Sequence, residues 1–141
     1  MRRFLLVLPL AIALPAATQA DAQSDLVSWK TFAQVRMIRA ADRIVPEFPD
    51  TLASLDQKQV KIQGFMLPLE MGEQQSLFVL SAVPPTCSFC MPGGPEAVVE
   101  VRAKRPMAYT EAAATVSGKL SVLKAEPSGI FYRLTDAVPA K

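Results

Sequence analysis

Two thiols set the chemistry available to this chain. Cys87 and Cys90 are its only cysteines, Ser88 and Phe89 separate them, and Met91 follows at once; none of the 141 residues is a histidine. Four chemistries use such a spacing. A structural disulfide is expected in an oxidising compartment, yet a bridge closing so short a loop contributes at most roughly 2 kcal/mol in the chain-entropy picture. Thioredoxin-like exchange wants the first cysteine at a helix N-terminus, where the dipole lowers its pKa. Here Pro92-Gly93-Gly94-Pro95 follows the pair, so no helix can start in the required place. Covalent haem attachment needs Cys-x-x-Cys-His, and Met91 stands where the histidine should be. Metal binding is the fourth. A closed zinc site wants four ligands, normally cysteine or histidine, so two thiolates need carboxylates or a second chain to complete it. Cu(I) is less demanding: it is soft, accepts two thiolates and tolerates a thioether. Cys87, Cys90 and Met91 therefore form a donor set for Cu(I) or, with help, Zn(II). Met66 and Met107 are further thioethers, although core filling is the expected fate of Met66 and Met37. The spacing leaves a local Cys87–Cys90 disulfide and a soft-metal site both open.

Other constellations are missing. Without histidine there is no Ser-His or Cys-His nucleophile pair. Gly93-Gly94 lacks the lysine and the strand-to-helix context of a phosphate loop. Glu70, Glu73, Glu96 and Glu100 are scattered and read as solvated carboxylates. The expectation is a protein that is not an enzyme.

The N-terminus bears on the compartment. Arg2 and Arg3 precede an apolar run from Phe4 to Leu14, and Pro15 and a string of small residues follow. This is the order of a secretory signal peptide, covering residues 1–20 with cleavage after Ala20, or after Ala22. Eleven residues fall short of the roughly 20 that a spanning helix needs. Without the leader, Lys+Arg falls from 15 to 13, matching the 13 acidic residues. The mature chain is then neutral, with no overall footprint for nucleic acid and no membrane span. Residues 21–141 are expected to form a single β-rich domain, soluble and periplasmic. A chain of that size buries enough surface to fold without a disulfide.

Strands must position the thiols. From Val27 to Met37 apolar and β-prone residues fall mainly on odd positions, which predicts a strand, with Phe32 out of phase and a helix capped by Asp25 as the rival. Pro46 and Pro49 mark an irregular crossing, and Asp50 to Leu55 would form one helical turn. Clearer strands are Gln59 to Met66, ending at Pro68; Leu77 to Val83, stopped by Pro84-Pro85; Ala97 to Ala103; Thr115 to Val122; and Ile130 to Leu134, after a turn at Pro127 and Gly129. Gly64 and Gly118 lie inside strands, where glycine usually marks a bulge or bend. The fold class is mostly β: a small OB-like barrel or compact sandwich of five to six strands with little helix.

Gly64, Phe65, Met66, Pro68 and Leu69, then Cys87 and Cys90, Pro92 and Pro95, and finally Val99 and Val101 carry a resemblance. Over roughly Leu55 to Val101 the chain resembles a domain-of-unknown-function family of small bacterial periplasmic proteins and lipoproteins. Its pattern is G-F-M-x-P-L, a cysteine-proline loop and V-x-V. The resemblance implies an exported β-rich fold and accessory work beside a periplasmic or inner-membrane transport protein linked to metal supply. Many members carry Cys-x-His before a run of prolines; this chain has Cys90 and Gly93-Gly94 instead, and no lipid-attachment cysteine.

Overall fold

The computed structural model describes residues 26–85 and 93–141. The leader, its cleavage sites, Asp25, and the residues Cys87, Cys90 and Met91 lie outside the described residues. Seven strands are formed among those described. β1 (Arg36–Ala40) and β2 (Arg43–Glu47) make a separate antiparallel hairpin, and β3 (Gln59–Pro68), β4 (Gln74–Ser81), β5 (Val98–Ala108), β6 (Ala114–Val122) and β7 (Tyr132–Pro139) close into a barrel. Around the barrel the order is β3-β4-β5-β7-β6, with β5 and β7 parallel and every other pair antiparallel. Counting from β3, this order is 1-2-3-5-4, a five-stranded OB-like barrel.

Alternation explains the core. β3 buries Val60, Ile62 and Met66, and Phe78, Leu80, Val99, Val101, Val116, Leu120 and Leu134 complete the interior. Two four-residue helices close one end: α1 (Trp29–Phe32) inserts Phe32 and α2 (Asp50–Ala53) inserts Leu52. Phe32 packs tilted against Tyr132, ring centroids 4.7 Å apart, and the buried Tyr132 hydroxyl donates to the Phe32 carbonyl at 2.8 Å. Burial, together with the negative charge of Glu96, pushes that hydroxyl's pKa up, so it stays a donor at any ordinary pH.

Both strand glycines are sites of close approach. At Gly118 a Cβ would sit 2.8 Å from the Thr135 carbonyl oxygen and from Leu134 Cγ. Opposite it, β7 carries one extra residue between Thr135 and Val138, with Asp136 at φ +52°, a bulge that presses β7 onto β6. At Gly64 a Cβ would meet the Ser81 carbonyl oxygen at 2.6 Å and the Trp29 ring at 3.0 Å.

Several expectations are corrected. Residues 27–37 are not one strand: Ser28 caps α1 with its side chain, and the phase break at Phe32 is a helical residue turning into the core. Proline-marked residues 43–47 are a strand, not an irregular crossing, because Pro46 is tolerated where β2 has only one partner. Met37 is 55% exposed rather than core, since the hairpin carrying it stands apart from the barrel. Glu100 is no solvated carboxylate. It is 8% exposed and accepts from Arg102 Nε at 2.9 Å and from Arg133 Nε at 2.5 Å. Finally, β5 runs on to Ala108 through a register shift opposite Gln75–Leu77, well past the predicted Ala103.

Candidate functional site

The cysteine pair belongs to the connection between β4 and β5, and both feet of that connection are fixed. β4 ends against the middle of β3, at the pair Phe65↔Ser81. Before that point β3 has β6 on one side, and on the other the segment ahead of α1 through Val27 N–H to the Lys61 carbonyl (2.8 Å) and Trp29 Nε1–H to the Gln63 carbonyl (2.7 Å). Gly64 is therefore the corner where β3 exchanges Trp29 for Ser81 as its neighbour, and a side chain there would separate them. This gives the Gly64-Phe65-Met66 run a physical role at the base of the cysteine connection.

Past that corner the chain turns at once. Ser81 Oγ donates to the Val83 carbonyl at 2.8 Å and accepts the Val83 N–H at 3.2 Å. Ala82 N–H donates to the Ala97 carbonyl at 3.0 Å, so the outgoing and returning strands are tied beyond the last ladder pair, Ser81↔Val98. The return foot is a single 3-10 turn, Pro95–Ala97, closed by Ala97 N–H to the Gly94 carbonyl at 2.9 Å. Glu96 folds its carboxylate back over Gly94, and a Cβ there would push that flexible side chain aside. Gly93 has φ +95°, a conformation that favours glycine.

Two depressions flank these feet. One is lined by Pro84, Pro85, Met66, Tyr109 and Glu111; the other by Trp29, Lys30, Ala33, Ala82, Glu96 and Ala97. Among the described residues no group of three His, Cys, Asp or Glu side chains is arranged to hold a metal ion. Met66 and Met107, 2% and 8% exposed, are core residues, which leaves Met91 as the thioether next to the pair. Glu96 is the carboxylate that stands at the return foot.

A larger groove of about 490 Å³ opens at the same end of the barrel. Its walls are β2 with Met37, and the β6–β7 connection from Leu123 to Phe131; Pro95, at the return foot, completes the lining. Sequence reasoning missed this feature. The signal available was the cation–apolar pattern Arg36-Met37-Ile38-Arg39 and Arg43-Ile44-Val45 around Ala40-Ala41-Asp42.

Among the described residues no helix is long and apolar enough to cross a membrane. No curated protein matches the chain. Among solved structures, the chain is similar to the crystal structure of a DUF3299 family protein from Pseudomonas aeruginosa PAO1. The two share 17% identity over 84% of this chain and 97% of that one, with a TM-score of 0.59, a likeness of fold. A family model described as "Protein of unknown function (DUF3299)" matches residues 14–134, and the chain belongs to that family.

Proposed function

We propose that this is an exported, periplasmic binding protein, not an enzyme, whose Cys87, Cys90 and Met91 take up a soft metal ion as cargo, Cu(I) or Zn(II). It would pass that ion to a periplasmic or inner-membrane transport protein. The observation that carries the reading is the tied neck of the β4–β5 connection. Ala82 is bonded to Ala97, Ser81 holds Val83 and Ala97 holds Gly94, so the ten residues from Pro84 to Gly93, which include two thiols and a thioether, join fixed feet. Soft donors with two residues between them suit Cu(I) directly. Zn(II) needs more ligands, and Glu96, at the return foot, is the first carboxylate after the pair in sequence.

The leader-like N-terminus supports export, and it also supports the rival reading, in which the same pair is a permanent disulfide and the protein an interaction module. Thiol state separates them. Protein taken from its native compartment is labelled with a thiol-specific alkylating reagent, with and without added Cu(I) or Zn(II), and weighed under native conditions. The metal reading predicts two labelled thiols, protected by metal, with a matching mass increase. A pair that never labels without strong reductant, and that keeps no metal once reduced, overturns it.

A further inference from the structure

We infer that the groove between β2 and the β6–β7 connection binds an anionic amphiphile, a molecule with an alkyl chain and a carboxylate or phosphate head. It does not depend on any role of the cysteine pair. The floor and walls of the groove are apolar: Met37, Ile44, Val45, Leu123, Ile130 and Phe131. Its volume of about 490 Å³ lies within the range of small-molecule sites, roughly 300–1,000 Å³. Ile44 is 67% exposed and Met37 55%, a cost in water that a bound alkyl chain removes.

Charge selects the head group. Arg43 and Lys124 stand on opposite walls, both exposed, and neither has an ion-pair partner among the described residues. The groove's one acidic lining residue, Glu126, is engaged by Arg133 Nη2 at 3.6 Å. The site therefore offers two uncompensated cations at its edge and an apolar floor. An added peptide strand fits less well, because Pro46 withholds a backbone N–H from β2.

The test is displacement of 1-anilinonaphthalene-8-sulfonate, itself an anionic amphiphile, from the purified protein. Dodecanoate and dodecyl phosphate should each displace it saturably at one site per chain, and whichever does so more tightly identifies the head group. Dodecyltrimethylammonium, with the same chain and the opposite charge, should not. Arg43→Glu and Lys124→Glu should each weaken dodecanoate by about tenfold, as expected for losing one charge-assisted hydrogen bond, and both positions are exposed enough for the fold to survive, which circular dichroism checks. The inference is overturned if the cationic amphiphile competes as well as dodecanoate, or if the Arg43→Glu/Lys124→Glu double variant keeps wild-type affinity. It also fails if an acidic peptide binds and neither dodecyl acid does.

Discussion

The barrel and the β1–β2 hairpin solve the same problem in opposite ways. Each barrel strand has two strand neighbours and buries one face, so Phe78, Leu80, Val99, Val101, Leu120 and Leu134 are fully inside. The hairpin's strands pair only with each other, every residue of β1 is exposed, and its ion pair, Arg36 with Glu47 at 3.1 Å, is solvated. An isolated two-stranded ribbon is marginally stable in water. The barrel supplies stability; the hairpin supplies surface, walling one side of a groove that the barrel alone would not have. The feet of the cysteine connection are fixed by the barrel.

The largest break in this comparison should come from filling a close approach in the barrel. Gly118→Val places a branched side chain where Cβ alone would sit 2.8 Å from a backbone oxygen. We expect a loss of about 3 kcal/mol or more, or no folded protein, read from urea denaturation. A smaller effect comes from the buried ion network on the barrel wall. Burial of Glu100 works to raise its pKa, but hydrogen bonds and charge from Arg133 and Arg102 outweigh it and hold the carboxyl below its ordinary value near 4.5. A group that binds its proton less tightly when folded gives its full stabilisation above the unfolded value and loses it as pH falls through the lower native one. Glu100→Gln should therefore cost about 1–3 kcal/mol at pH 7 and flatten the stability profile below pH 4.5. An unchanged acid limb would remove Glu100 from the account. The smallest effect belongs to the hairpin: Ile44→Ser should shift stability by no more than about 0.5 kcal/mol while weakening amphiphile binding. A loss approaching that of Gly118→Val would make the hairpin part of the core and erase the distinction.

Which parts were readable from sequence follows the same division. Barrel strands advertise themselves because closure buries one face, so Gln59 to Pro68 and Ala114 to Val122 alternate and appear almost where expected. Gly64 and Gly118 stood out as glycines inside strands, though not as the close approaches they prove to be, to Ser81 and Trp29 at one and to β7 at the other. The hairpin hid because it buries little: every residue of β1 is exposed, and in β2 only Val45 and Pro46 are half-buried. Its turn uses Ala41 in a left-handed conformation (φ +52°) rather than the Asn-Gly or Asp-Gly that signals such a turn, and Pro46 reads as a breaker. Glu100 hid because its partner Arg133 is distant in sequence and adjacent only through the parallel pairing of β5 with β7. The thiols were the most legible chemical feature of all, and the fold adds the tied feet on which they are carried.

The most direct test is a Cu(I) titration of reduced protein against a chromophoric chelator, comparing the natural chain with the Cys87→Ser/Cys90→Ser double variant. The account predicts one Cu(I) withdrawn from the chelator per natural chain and none by the variant, with unchanged circular dichroism. Equal behaviour of the two proteins would contradict it.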